Sequence, residues 1–142
     1  MEGSEHLADE GDRRLRILLA EDVEDNRLLI RFYVKGENVD LTIAENGQDA
    51  VRAFREDGIF DLVLMDIQMP VMDGYEATRR IRSIEAAEGR RPVPVLALTA
   101  HASAETKARS LAAGCDKQIM KPIRKKEFLS VIHHFRRGLD GD

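Results

Sequence analysis

Five times along this chain a short apolar run is followed by a stretch with helical spacing, and this rhythm restricts the fold most. The runs are Ile17-Leu18-Leu19-Ala20, the alternating Val39, Leu41 and Ile43, Leu62-Val63-Leu64-Met65, Val95-Leu96-Ala97-Leu98, and Gln118-Ile119-Met120. Runs this short and this apolar fit strands buried on both faces better than they fit helices. The intervening helical faces are Leu29, Ile30 and Tyr33 within 26–34, then Ala50, Val51 and Phe54, then Ala77, Ile81 and Ile84. The fourth has Ala104, Ala108, Leu111 and Ala112 facing inward, and the last has Phe128, Leu129, Ile132 and Phe135. Asn46, Asp73 with Glu76, and Ser103 are the expected caps. Gly36, Gly58, Arg90-Arg91-Pro92, Gly114 and Gly138 are the expected stops. Five strands alternating with five helices predict an α/β fold, a parallel sheet covered by helices on both faces.

The ends of the runs carry the chemistry. Residues 62–74, Leu-Val-Leu-Met-Asp-Ile-Gln-Met-Pro-Val-Met-Asp-Gly, form a buried strand that stops at one carboxylate, Asp66, before a loop. Taken alone, Asp66 is equally well a solvated strand end. But the first run ends in Glu21-Asp22, the fourth in Thr99 and the fifth in Lys121. In a parallel sheet these ends share one edge, where open α/β sheets bind ligands. Three carboxylates on that edge would raise one another's pKa, since two charges about 4 Å apart interact by roughly 4 kcal/mol at an effective dielectric near 20. A single lysine is too little positive charge to offset them. A hard divalent ion fits the deficit, and magnesium fits best because it needs few carboxylates and keeps water and phosphate oxygens as its other ligands. No His or Cys cluster argues for zinc. A cation, a carboxylate, a lysine and a hydroxyl together point to phosphoryl transfer onto Asp66.

Composition excludes other classes. The 142 residues are 43% hydrophobic and 34% charged, which suits one domain with a real core. The net charge of −4 gives no basic footprint for nucleic acid. No apolar run approaches the roughly 18 residues of a membrane span. The one cysteine, Cys115, has no partner for a disulfide, which places the chain in a reducing cytoplasm and Cys115 in a structural role.

Together the Glu21-Asp22 pair, Leu64-Met65-Asp66 with Met69-Pro70 and Asp73-Gly74, Ala97-Leu98-Thr99-Ala100, and Lys121-Pro122 resemble the response-regulator receiver domains of two-component signalling. The resemblance implies a flavodoxin-like (βα)5 three-layer sandwich with strand order 2-1-3-4-5. It implies a receiver domain over 15–138, while the acid-rich, apolar-poor composition of 1–14 reads as a disordered acidic extension and 139–142 as a short tail. Asp66 would accept a phosphoryl group from a phosphohistidine or a small phosphodonor. Magnesium, with manganese as a substitute, would be held by Asp22, Asp66 and the Gln68 carbonyl, and through water by Glu21. Lys121 would pair with Asp66 and then with phosphoryl oxygens, Thr99 would bond the phosphoryl group and move inward, and Ala100 would leave room for the donor. The Lys121–Pro122 bond would be cis. Histidine kinases or histidine phosphotransfer proteins would be the partners, without nucleic acid or membrane, of a monomer or weak dimer.

Details refine this. The stretches Asp25-Asn26-Arg27, 65–79 and Ala97–Ala102 look most like receivers of hybrid histidine kinases. Nothing after Asp142 supplies an output domain, so the expectation is a single-domain regulator or a receiver cut from a larger kinase. In many receivers an aromatic residue three positions before the lysine rotates as the threonine moves; here Gln118 stands there, a departure from that version of the switch. Gln68 and His101 occupy positions that influence water at the acyl phosphate, so they are expected to tune dephosphorylation, His101 having a plain loop role as its alternative. Arg124-Lys125-Lys126 opposes the dipole of the last helix, and is either a solvated end or a docking patch for an acidic partner. Two rival functions remain: a phosphorylation-independent interaction module, and a small phosphohydrolase acting through an aspartyl phosphate. Gln68 argues against the hydrolase, which commonly carries an acid two positions beyond its nucleophile.

Overall fold

The computed structural model describes residues 14–139, and the order of elements is the alternation read from the sequence. The elements are β1 (Leu15–Ala20), α1 (Glu24–Tyr33), β2 (Val39–Ala44), α2 (Gly47–Glu56), β3 (Leu62–Asp66), α3 (Gly74–Glu88), β4 (Val95–Thr99), α4 (Ala104–Ala113), β5 (Lys117–Met120) and α5 (Lys125–Leu139). All neighbouring strands are parallel, in the order β2-β1-β3-β4-β5. Apart from Arg14 and Leu139, the acidic extension and the tail lie outside the described residues. Arg14 itself donates to the Val39 carbonyl at 2.6 Å.

Side chains alternate across a strand, so each central strand feeds two cores. Leu18, Ala20, Val63, Met65, Val95 and Ala97 face α2, α3 and the end of α4, meeting Phe54, Ile81 and Ala113. Ile17, Leu19, Leu62, Leu64, Leu96 and Leu98 face α1 and α5, meeting Ile30, Tyr33, Phe128 and Ile132. The result is three layers with both faces of the sheet dry. Cys115 is buried beside Thr78, its Sγ 3.7 Å from Oγ1, in keeping with a structural role.

The helix starts follow the cap chemistry. Asn46 accepts from the Asp49 amide at 2.8 Å, and Asp73 from the Glu76 amide at 2.9 Å. Ser103 and Thr106 form a reciprocal capping box. The box expected between Asp73 and Glu76 is only half made, because the Glu76 carboxylate turns outward to Arg79 and Arg80. Helix α1 begins at Glu24, two residues earlier than expected, from Val23, which has no side-chain cap. Helix α3 ends on Gly89 at φ 66°, just before the Arg90-Arg91-Pro92 break. Gly138 does not stop α5, which continues to Leu139.

The inward face of α4 differs from the expected one. Ser110 and Ala113 are buried, while Ala104, Ala108 and Ala112 are exposed and Leu111 is 52% exposed. Alanines carry little phase information, so a single leucine misdirected the assignment by about a third of a turn. Small Ser110 lets α4 lie close to β5, where its hydroxyl bonds the Gln118 side chain at 3.4 Å.

The loop after Asp66 is held by two close backbone approaches. A Cβ on Gly74 would overlap the Asp66 carbonyl oxygen and come within 2.8 Å of the Ile67 Cα, and one on Gly47 would overlap the Met72 carbonyl oxygen. The Gly47 amide donates to that Met72 carbonyl at 3.1 Å, and the Gly74 amide to the Ile67 carbonyl at 2.9 Å. Between these anchors Val71 adopts φ 70°, strained for a β-branched residue, with its side chain 73% exposed. The tight loop sets the start of α3 directly beside Asp66.

Candidate functional site

Because β1 and β3 are neighbours, with Ala20 opposite Met65, the acids that follow them meet at the carboxyl edge. Carboxylate oxygens of Glu21, Asp22 and Asp66 lie within 4.8 Å of one another. Glu21 is 2% exposed and Asp66 1%. From the far side of β4, Lys121 reaches in, its Nζ 3.1 Å from Asp66 Oδ2 and 3.4 Å from Glu21 Oε1. The Lys121–Pro122 peptide bond is cis. The Gln68 amide donates to Asp66 Oδ1 at 3.2 Å, and the Val23 amide donates to Glu21 Oε2 at 3.1 Å. Glu21, Asp22, Asp66 and Lys121 therefore form one cluster, and both oxygens of Glu21 and of Asp66 are met by N–H donors.

The other residues expected at the site lie around it. The Thr99 hydroxyl donates to the His101 carbonyl at 3.0 Å and accepts from the His101 amide at 3.2 Å. Ala100 is exposed at the same edge, and Gln68 is exposed in the loop. Gln118 is half-buried and engaged with Ser110, on a strand that β4 separates from that of Asp66. A cleft of about 480 Å³ opens here, lined by Asp22, Gln68, Thr99 and His101 and also by Tyr75 and Arg109. The sequence does not point to the last two. Their pairing joins the start of α3 to the middle of α4, and no local periodicity marks such a contact.

Charge imbalance dominates the site. Burial, followed by repulsion from Glu21, pushes the Asp66 carboxyl up to about 7, against the pull of Lys121. For Lys121, burial pulls the ammonium down, but attraction to Asp66 and Glu21 outweighs it and holds the group above its ordinary value. The Asp66 carboxyl therefore holds its proton up toward neutrality despite the nearby ammonium. All-oxygen donors and this surplus of negative charge fit a hard divalent cation, which would replace that proton.

The fold and this edge define a class of protein: an open α/β sheet with an acidic, lysine-tethered pocket at its carboxyl ends. The model of the response regulator receiver domain matches residues 17–133. The chain belongs to that family, the receivers of two-component phosphorelays. It is 39% identical over 120 residues to the sensor protein GacS of Pseudomonas syringae pv. syringae, covering 84% of this chain and 13% of that protein. It is 40% identical over 122 residues to hybrid signal transduction histidine kinase I of Dictyostelium discoideum, covering 83% of this chain and 7% of the relative. The chain thus spans a small part of these relatives' lengths. Among solved structures, it superimposes on the receiver domain of the sensor histidine kinase PA1611 from Pseudomonas aeruginosa PAO1 with TM-score 0.75 and 33% identity, over 87% of this chain and 98% of that one. That receiver carries a magnesium ion in its active-site cleft. A second match is the Ssk1 receiver domain in complex with the histidine phosphotransfer protein Ypd1 of Saccharomyces cerevisiae, with TM-score 0.82 and 29% identity, over 88% of this chain and 90% of that one. The strand order implied by the resemblance and the likeness to hybrid-kinase receivers both hold.

The raised Asp66 carboxyl has a measurable consequence. An unfolded aspartate ionises near pH 3.9, whereas folded Asp66 keeps its proton until about pH 7. The unfolded chain then binds fewer protons between these values, so this group lowers stability as pH rises through that window. Each tenfold change in proton affinity is worth about 1.4 kcal/mol, and water entering the cleft reduces the total. In EDTA at pH 8 we expect Asp66→Asn to exceed the wild type by about 2 kcal/mol in urea unfolding, with the difference closing toward pH 4. A constant difference across pH would contradict the charge account.

Proposed function

We propose that Asp66 is the phosphoacceptor of this receiver. The supporting observation is a buried carboxylate bracketed by the Lys121 ammonium at 3.1 Å and by the oxygens of Glu21 and Asp22. A carboxylate oxygen of Asp66 attacks phosphorus while the phosphorus–nitrogen bond of a phosphohistidine breaks. The ring nitrogen keeps that electron pair and leaves as neutral imidazole when its other nitrogen is protonated. With acetyl phosphate, acetate leaves instead and no proton moves.

Lys121 neutralises charge on the phosphoryl oxygens and keeps Asp66 oriented. Asp22, Asp66 and the Gln68 carbonyl would hold Mg2+, with Glu21 acting through water, and Mn2+ is an acceptable replacement. When bound, the ion supplies positive charge to acceptor and phosphoryl oxygens. Thr99 exchanges its bonds to His101 for one to the phosphoryl group, and Ala100 leaves the approach open. This draws the β4–α4 loop inward, and Gln118, bonded to Ser110 of α4, takes the place of an aromatic rotor in passing that motion on. Gln68 and His101, both on the cleft, set the access of water and thus the lifetime of the acyl phosphate. The domain promotes its own phosphorylation and dephosphorylation in this way.

Histidine kinases or phosphotransfer proteins are the proposed partners of a monomeric or weakly dimeric cytoplasmic domain. Val23, Leu28 and Phe32 are 45%, 53% and 57% exposed on the start and outer face of α1, directly after the acidic pair. Lys125 Nζ lies 5.5 Å from the centroid of the Phe32 ring, which joins the basic start of α5 to this apolar face. An apolar centre with a cationic rim suits a donor module that must bring its histidine to the pocket. Among the described residues no helix is long and apolar enough to cross a membrane.

Incubation with Mg2+ and acetyl phosphate, followed by intact mass, tests the acceptor. One phosphoryl group is expected on the wild type, and none on Asp66→Asn or in EDTA. Labelling that is unchanged in the variant would overturn the assignment, and no labelling with any donor would leave an interaction module. In parallel, Phe32→Asp is expected to slow transfer from a phosphorylated phosphotransfer protein about tenfold or more, with acetyl phosphate labelling unchanged.

A further inference from the structure

The cleft beside Asp66 is acidic, and the arginine on its wall, Arg109, has no acidic partner among the described residues. Asp22 and Asp73 line it, and so do Ile67 and Gln68, which directly follow Asp66. Lys121 is already engaged by Asp66 and Glu21. Arg109, exposed on α4, makes no ion pair among the described residues. Its guanidinium carbon instead sits 4.4 Å from the centroid of the Tyr75 ring. Tyr75, in the first turn of α3, is 5% exposed and therefore a fixed platform. A guanidinium held against an aromatic face keeps N–H donors free to meet an anion.

Any phosphodonor carries negative charge into this cleft, past Asp73 and, until a cation is bound, past Asp22. Repulsion from those carboxylates slows the encounter unless a cation on the wall offsets it. A like-signed cleft lowers the local concentration of an anion, and an opposite charge raises it. Arg109 is placed to supply that charge without being neutralised by a neighbour.

We propose that Arg109, seated on Tyr75, is a specificity-determining residue that recruits dianionic phosphodonors to Asp66. The proposal rests on Asp66 being the acceptor. Arg109 acts on the approach of the donor and is a positioning residue. Its contribution grows with donor charge, so it favours the acetyl phosphate dianion over phosphoramidate, which carries one negative charge fewer. In the step that follows, Asp66 forms its oxygen–phosphorus bond as the bond to the donor's leaving oxygen or nitrogen breaks, and the leaving group keeps the electron pair. Acetate departs as the anion; the nitrogen of phosphoramidate departs as ammonia, already carrying its protons.

Intact-mass time courses with Mg2+ test this using acetyl phosphate and phosphoramidate, each at low and high ionic strength. The proteins compared are the wild type, Arg109→Ala and Arg109→Lys. Arg109→Ala is expected to slow labelling by acetyl phosphate roughly tenfold at low salt, to slow phosphoramidate less, and to flatten the salt dependence. Arg109→Lys restores charge and is expected to recover most of the rate. Unchanged rates would overturn the proposal. So would equal slowing with both donors and an unaltered salt slope, because a mere tie between α3 and α4 would act that way. Labelling that persists in Asp66→Asn would instead overturn the acceptor assignment beneath it.

Discussion

The site depends on one interaction, the Lys121 ammonium placed between the carboxylates of Asp66 and Glu21. Strand β4 separates β5 from β3, so the two strand ends are about two strand spacings, roughly 10 Å, apart. A short side chain after β5 would not cross that gap, whereas an extended lysine does. The acids face no such distance because β1 and β3 are adjacent. Strand order therefore assigns the chemistry: short acids to neighbouring strands, the long cation to the strand beyond, and the hydroxyl of Thr99 to the strand between. The pairing also leaves the cluster short of positive charge, a deficit that a hard divalent cation would fit.

The surroundings stabilise this placement at the expense of loop freedom. Gly47 and Gly74 admit backbone approaches that no side chain would allow, and these fix both sides of the loop that follows Asp66. Val71 absorbs the bend in a strained conformation between them. On the other side of the cleft the loop is tied by side-chain hydroxyls. The Thr99 hydroxyl is held by the backbone of one residue, His101, whose carbonyl also accepts from the Thr106 hydroxyl in the cap of α4. The Asp66 carboxylate thus sits beside a loop fixed by close backbone approaches, and the Thr99 hydroxyl beside one tied by hydroxyl bonds.

Much of this was legible in the sequence because strand ends and charges are local features. Asp66, Glu21, Asp22 and Lys121 were each marked by an apolar run that stopped at an ionisable residue, and parallel topology then brought them together. The sheet, its cores and the caps at Asn46, Asp73 and Ser103 followed from periodicity and side-chain chemistry. The face of α4 was not legible, since alanine-rich turns leave the phase to one residue, and Leu111 is exposed. The Arg109–Tyr75 contact was hidden for a different reason: its partners lie on separate elements and neither breaks a pattern. Likewise, the outward turn of Glu76 depended on two arginines competing for a carboxylate that also suited the cap.

The central claim is that this charge cluster makes Asp66, and no other acid on the edge, the group that carries phosphate. Trapping the acyl phosphate with borodeuteride tests it most directly, because reduction converts a phosphorylated aspartate into deuterated homoserine that peptide sequencing by mass spectrometry locates. Homoserine is expected at position 66 alone, formed only in samples treated with donor and Mg2+. Homoserine at Asp22, or its spread over several acids, would contradict the claim.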